Sequence, residues 1–358
     1  MKRILVALLF LVLLTGGAAA YWIYATLHTP VYHTKRGQYI EIPRGSSPSA
    51  VLRRLASEGI LKHELLLEIY VKLSGAGSRF RAGEYSFPSP ITPLGVFRKL
   101  EQGEQRLLRL TVIEGWTRWD IANAMANIPE LGLPDSDAAL ELMNDVGQIR
   151  DLDPQATNLE GYLYPDTYEF APGTTAKTLI EMMLKRFLSK WTTESAMSAQ
   201  AINRTPRQIV TTASLIETEA KLENERPLIA SVIYNRLQKD VPLGIDSSII
   251  YASKLAGRWK NDGKVYKSDV DRRSPYNTRL HAGLPPGPIA SPGASALQAA
   301  LNPAQTDYLY YVREPSRNDG AHNFYTNEKE FSQGVQALRN WERQRDAENA
   351  RPKNQSAR

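Results

Sequence analysis

From residue 4 to residue 27 the chain carries no charged side chain, and only Met1-Lys2-Arg3 come before that run. At about 1.5 Å of rise per residue, such a helix reaches about 36 Å, enough to cross a hydrocarbon core of about 30 Å. The pattern predicts a transmembrane helix over 4–27, with 1–3 held on the cytoplasmic side by the two basic residues. Tyr21, Trp22 and Tyr24 fall where an interfacial aromatic belt belongs. A cleaved signal peptide, with Ala18-Ala19-Ala20 as the processing site, is the other reading. The aromatics directly after the alanines and the length of the run favour an uncleaved anchor. Either way, everything that follows leaves the cytoplasm.

Residues 28–37 contain Pro30 and no periodic pattern, and read as a linker. Beyond them the hydrophobic pattern repeats with an offset of 70 residues: Ile40-Glu-Ile-Pro-Arg-Gly45 resembles Leu110-Thr-Val-Ile-Glu-Gly115. Each copy is an alternating strand that ends in a glycine turn, followed by a Ser/Thr and a helix. Val51, Leu55 and Ala56 would line one helix face, and Ile121, Met125 and Ala126 the other. Between the copies, 62–73 reads as a helix, 83–87 as a strand and 92–101 as a helix. Strand–helix–helix–strand resembles the plan of a small glycan-binding module of the LysM type, here 38–103; a structural spacer is the alternative. Residues 104–155 hold the second repeat and a connecting region.

Thr205-Pro206-Arg207-Gln208 is a strong helix start: a Thr N-cap, Pro at the first helical position and Gln closing a capping box. That helix is expected to run to about Glu223, with a second over 225–239, short strands or loops after it, and a helix over 294–301. A buried strand over 308–312 and an amphipathic helix over 328–345 complete an α+β domain, 156–345. The polar 346–358 reads as a disordered tail. The whole is therefore α+β: an N-terminal transmembrane helix, a LysM-like α+β module and an α+β catalytic domain.

Composition narrows the chemistry. With 42% hydrophobic and 23% charged residues in 358, the chain can bury cores. With no cysteine it has no disulfides, thiolate metal site or cysteine nucleophile. A net charge of +6 comes without a basic cluster dense enough for nucleic acid. His28, His33, His63, His281 and His322 form no His-Glu-x-x-His pair, and no Gly-x-Ser-x-Gly, Ser-x-x-Lys or complete phosphate loop occurs. Carboxylates remain. On the capped helix, Ile209, Ala213, Ile216 and Ala220 share one stripe; Glu217 lies roughly 60° to one side of it and Glu219 roughly 100° to the other. They diverge and cannot act as a close pair. Glu217 has Val210, Ala213 and Ala220 around it, surroundings that raise a carboxyl pKa as a general acid requires. Glu219, with Thr212 and Glu223 on its side, reads as the less desolvated. From the wheel alone, an edge-of-stripe glutamate such as Glu217 is more often a solvated or ion-paired residue than a catalytic one.

Two loops stand out: Asn158-Leu-Glu160-Gly161 through Tyr168, and Ser274-Pro-Tyr276-Asn277-Thr278 leading into 283–293, where four prolines in eleven residues make a stiff wall. Tyr234, Tyr251, Trp259 and Tyr276 can stack on sugar rings or simply pack. Together, Leu159-Glu-Gly-x-x-x-Pro-Asp-Thr-Tyr168, Ala213-Ser-Leu-Ile-Glu217, Glu225-Arg-Pro through Tyr234-Asn235-Arg-Leu237, Tyr276-Asn-Thr and Gly283-Leu-Pro-Pro-Gly-Pro-Ile resemble the endolytic murein transglycosylases (the MltG, YceG-like family). The resemblance spans nearly the whole chain. It departs at Asp246-Ser247-Ser248, where the family usually has Asp-Pro-Thr, and at Arg279, where it often has tyrosine.

The resemblance implies that Glu217 is the catalytic residue of a lytic transglycosylase. Such an enzyme cleaves the β-1,4 bond between N-acetylmuramic acid and N-acetylglucosamine without water, leaving 1,6-anhydro ends. It implies no metal and no cofactor, with Asn235, Asp246, Tyr276 and Asn277 as candidate substrate contacts. The implied partners are peptidoglycan glycan strands, the inner membrane and peptidoglycan synthases. Two other readings stay open: an anchored, non-catalytic glycan-binding scaffold, and a hydrolase pairing Glu217 with a second carboxylate such as Asp246.

Overall fold

The structure, a computed structural model, describes residues 2–75, 80–103 and 106–349. The uncharged run forms a single helix, α1 (Lys2–His28), and its Leu8–His28 portion is long and apolar enough to cross a membrane. The last turn of α1 is built into a folded core, where Leu27 is buried. The segment after it is no free tether. Val31 bridges to Ile91, the His33 N–H donates to the Ser89 hydroxyl at 2.9 Å, and Lys35 pairs with Glu58 at 3.0 Å.

Then come β1 (Tyr39–Ile42), α2 (Pro48–Ser57), α3 (Glu64–Leu73), β2 (Gly83–Ser86) and α4 (Pro93–Gln102). β1 and β2 pair antiparallel with Ile40 opposite Tyr85. Ser47 caps α2 and Thr92 caps α4, each followed by proline at the first turn. The second copy of the repeat completes the same order with β3 (Leu108–Thr111), α5 (Arg118–Ala126), α6 (Ser136–Leu142) and β4 (Thr167–Phe170), and β3 pairs with β4. Gly45 and Gly115 occupy equivalent turns at φ 79° and 81°, a left-handed conformation that suits glycine. The buried helix positions are Val51, Leu52 and Leu55 in one copy and Ile121, Ala122 and Met125 in the other. The face is thus i, i+1, i+4; Ala56 and Ala126, expected inside, are only half-buried.

The remaining elements are α7 (Ala176–Lys190), α8 (Thr193–Ala201), α9 (Pro206–Glu219), α10 (Arg226–Gln238), α11 (Asp246–Leu255), α12 (Lys267–Val270), α13 (Ala294–Leu301), β5 (Tyr310–Arg313), β6 (His322–Tyr325) and α14 (Glu328–Asn349). The chain divides into two compact units, Met1–Arg109 with Glu169–Gly173, and Leu110–Tyr168 with Thr174–Arg358. The second copy of the repeat thus belongs to the second unit.

In the second unit α9 is the central helix, packed by α8, α10, α11 and α13. The expected cap is present: the Thr205 hydroxyl accepts the Gln208 N–H and the Gln208 side chain accepts the Thr205 N–H. Every residue from Ile209 to Ile216 is buried, so α9 has no polar face to set against a stripe. It ends at Glu219, four residues short of the expected Glu223, because Ala220 turns extended (ψ 118°). Residues 246–255, expected as strand or loop, form α11; its serines and paired isoleucines hide the helical period. β5 begins at Tyr310 and is half-buried, since the Tyr308 carbonyl is engaged by Asn235. α14 runs on to Asn349; the rest of the expected tail, 350–358, lies outside the described residues.

Candidate active site

The last turn of α9 presents Glu217. Its carboxyl accepts Nη2 of Arg226 at 2.8 Å and Nη1 at 3.3 Å, a two-pronged pair supplied by the first residue of α10. It also accepts the Gly293 N–H at 2.8 Å. Gly293 caps α13, so the carboxyl lies at the positive end of that helix's dipole. The side chains of Glu217 and Arg226 are only 5% and 8% exposed. Burial pushes the Glu217 pKa upward; the Gly293 N–H and the Arg226 charge oppose this, and the negative charge of Glu114 adds to it. Glu114 belongs to the turn of the second repeat, 3.8 Å from Arg226 Nη2. Such a carboxyl keeps its proton to higher pH than an exposed glutamate does, and after giving it up it already has donors for the charge left behind.

The proline-rich loop is held in place along its length. Arg207, paired with buried Asp153, donates to the Pro286 carbonyl. The Ile289 N–H donates to the Ser214 hydroxyl at 3.0 Å, and Ser291 exchanges backbone hydrogen bonds with Gly115 and Trp116. Close approaches fix two glycines: a Cβ on Gly161 would overlap Pro288, and one on Gly293 would overlap the Glu114 carboxyl. Beside Glu217, whose Cγ reaches the Gly115 position, a cleft of about 190 Å³ is lined by Gly115, Thr117, Ser247, Tyr251, Lys254 and Ile289.

Glu219 turns to the other side of α9, as the wheel requires. It is not the wetter of the two. The Tyr311 hydroxyl (3.0 Å) and the Ser247 hydroxyl (3.3 Å) donate to it, and burial pushes its pKa up as well. Tyr311 comes from β5, which no pattern local to α9 could supply. Buried Glu160 accepts the Arg118 N–H at the start of α5 (3.1 Å), and desolvation lifts its pKa to about 7. Neither Arg226 nor Glu160 was singled out by sequence reasoning. Only their place inside quoted motifs hinted at them.

The other expected contacts are placed as follows. Asn235 spends its amide N–H groups on the carbonyls of Thr306 (2.7 Å) and Tyr308 (2.9 Å), beside a separate cleft of about 320 Å³ that Glu217 does not line. Asn277 is fully buried and donates to the carbonyls of Val270 and Arg272. Tyr276 packs tilted against Tyr251, with 4.9 Å between ring centroids, and Tyr251 lines the smaller cleft. Asp246 is exposed and paired with Arg279 at 2.6 Å, while its neighbour Ser247 accepts from Thr218 at 2.8 Å. Arg279, one departure from the family pattern, therefore pairs with the aspartate that directly precedes the other. Among the described residues no three His, Asp or Glu side chains converge as a metal site.

The family model described as the YceG-like family matches residues 40–337. The chain belongs to the YceG-like family. Among its relatives is an endolytic murein transglycosylase of Bacillus subtilis (strain 168), 36% identical over 317 residues, covering 84% of this chain and 85% of that protein. An endolytic murein transglycosylase of Streptococcus pneumoniae (strain D39) is 28% identical over 354 residues, covering 92% of this chain and 63% of the relative. The crystal structure of a YceG-like protein from Listeria monocytogenes superposes with a TM-score of 0.55 at 30% identity, over 82% of this chain and 98% of that one. Within the family, this chain carries its buried glutamate on a helix joined to the second repeat by a shared arginine.

Proposed function

We propose that this YceG-like protein is an endolytic peptidoglycan lytic transglycosylase and that Glu217 is its catalytic residue. The observation that carries the reading is a buried carboxyl, biased toward holding a proton, whose hydrogen-bond partners are a guanidinium and a backbone N–H and not a second carboxyl. Glu217 gives its proton to the glycosidic oxygen of the departing N-acetylglucosamine as the bond to the muramyl C1 breaks. The carboxylate then takes the proton of the muramyl C6 hydroxyl as that oxygen bonds to C1. The proton lost in the first step is regained in the second, and no water is consumed. One residue serves both steps because the nucleophile belongs to the substrate; the paired carboxylates of ordinary glycosidases are not required.

In this reading α1 crosses the inner membrane once with its N-terminus in the cytoplasm, which holds the enzyme beside newly made strands and raises their effective concentration. The strand–helix–helix–strand part of the first unit acts as a LysM-like glycan-binding module; a cleft of about 340 Å³ lined by Ile42, Pro43, Arg44, Gly83 and Glu84 is its candidate groove. Peptidoglycan synthases, which make those strands, are the proposed partners.

The test is to incubate the detergent-solubilised full chain, beside Glu217→Gln, with uncrosslinked glycan strands and to weigh the products by mass spectrometry. Anhydro-ended fragments from the parent and none from the variant are expected. Reducing ends would instead assign a hydrolase, and intact strands bound by both proteins a scaffold. A truncation at residue 30 is unsuitable because it removes Leu27 from its core.

A further inference from the structure

α3 is apolar on two opposite sides. At about 100° per residue, Leu67 and Val71 share one side and are buried in the core of the first unit. Leu65, Ile69 and Leu73, at i, i+4 and i+8, share the side roughly opposite and are 68%, 53% and 85% exposed. The charged residues Glu64, Glu68 and Lys72 are confined to a narrow strip between the two, and Glu68 is already taken by Ser49 and Lys72. A helix on an ordinary water-facing surface carries its charges where this one carries leucines and isoleucine. Single exposed aliphatics need no explanation, whereas three in one row, with Tyr70 at their edge, mark a surface that something covers.

The neighbour of α3 says what covers it. α3 packs against α1 within the same unit. Leu27 of α1 lies in the same core as Leu67 and Val71, and Val31 is fixed to Ile91 directly afterwards. No slack separates the membrane-spanning helix from the folded unit, so an element touching α1 lies at the level where α1 leaves the hydrocarbon. We infer that α3 rests on the outer face of the bilayer that α1 crosses, with Leu65, Ile69 and Leu73 seated among the lipids. Lys62, exposed just before α3, is placed to meet phosphate headgroups. The first unit is thereby laid flat on the membrane instead of swinging from its anchor. This rests on the reading that α1 spans a bilayer.

The absence of cysteine makes the test direct. Val12→Cys in α1, Leu65→Cys, Ile69→Cys and Leu73→Cys in α3, and Arg53→Cys on the exposed side of α2 are each labelled with an environment-sensitive fluorophore in the full chain. Each is then reconstituted in phosphatidylcholine–phosphatidylglycerol vesicles. With quencher-bearing lipids, the labels at 12, 65, 69 and 73 are expected to be blue-shifted and to lose roughly half their emission or more, and the label at 53 to keep it. Quenching at 12 with none at 65, 69 and 73 beyond that at 53 overturns the proposal and leaves the anchor standing. No quenching at 12 overturns the anchor and the proposal together. Shielding of the α3 labels that vanishes on diluting the protein in lipid assigns the row to a second copy of the chain, which also overturns it.

Discussion

In the first copy of the repeat, β1 leads through Pro43-Arg44-Gly45 to Ser47 and α2; in the second, β3 leads through Ile113-Glu114-Gly115 to Thr117 and α5. Both turns use a left-handed glycine, both helices start from a hydroxyl residue, and both bury i, i+1, i+4. What differs is what faces the turn. A Cβ at Gly45 would meet nothing within 4 Å, whereas one at Gly115 would meet Glu217 Cγ at 3.9 Å. The same local physics thus makes an open turn in one unit and a wall of the cleft beside Glu217 in the other. The chemistry comes from the packing partner, not from the motif.

The hardest blow to that comparison comes from Glu217→Gln, which keeps the size and removes the acid. Turnover is expected to drop about 10²–10⁴-fold, the usual yield of a positioned acid–base group, with unfolding unchanged or slightly improved. Substitution of Arg44 in the first copy should leave turnover on short glycan strands intact. Equal losses at the two positions would mean that chemistry is not confined to the second unit.

A second difference is buried under the second copy. α5 starts against Glu160, whose carboxyl accepts the Arg118 N–H, while α2 starts from its own Ser47 cap. Because the folded pKa of Glu160 is raised from 4.5 to about 7, the protonated form is the favoured one in the fold. Stability from this group is complete below about pH 4.5 and is lost as pH rises through about 7. A pKa rise of that size corresponds to about 3 kcal/mol. Glu160→Gln should flatten the fall in chemical-denaturation stability of the second unit between pH 5 and pH 8. Parallel curves for the two proteins would show that Glu160 is not the titrating group.

Gly45→Ala and Gly115→Ala form the matched pair. Each puts a side chain at φ near +80° and is expected to cost about 1–2 kcal/mol in its own unit. Only Gly115→Ala should also slow cleavage, measured where both variants are fully folded, because only that Cβ touches Glu217. Equal slowing would place the first turn in the reaction as well.

Much of this was legible from local rules. The cap of α9 at Thr205, the helix over 294–301 and the repeat itself follow from residues within a few positions of one another. The upward push on Glu217 could be argued from Val210, Ala213 and Ala220. What failed were judgements that need distant partners. Glu219 read as the less desolvated of the two glutamates because its cover, Tyr311, is 92 residues away. Equally hidden from sequence spacing are the backbone carbonyls of Thr306 and Val270 that engage the amide donors of Asn235 and Asn277. Arg226 was inconspicuous because nothing local marks an arginine that will face a glutamate nine residues earlier across a helix break.

The smallest expected effect isolates the electrostatics of the comparison. With the 70-residue offset, Glu114 is the counterpart of Arg44, so the two turns carry opposite charges at one position. Glu114 raises the Glu217 pKa directly, and it also draws on Arg226, which it approaches at 3.8 Å. Glu114→Gln removes both influences while keeping the bulk beside Gly293, so the Glu217 pKa falls. Cleavage that requires protonated Glu217 then declines at lower pH than in the parent. The Glu114 side chain is half exposed, so water and salt screen it. The alkaline limb of kcat/KM is therefore expected to move down only slightly, and less at high salt. Arg44→Gln should move it not at all. A limb that stays put in Glu114→Gln, or shifts upward, would mean that the second turn shapes the cleft sterically and leaves the proton affinity of Glu217 to burial, Arg226 and Gly293.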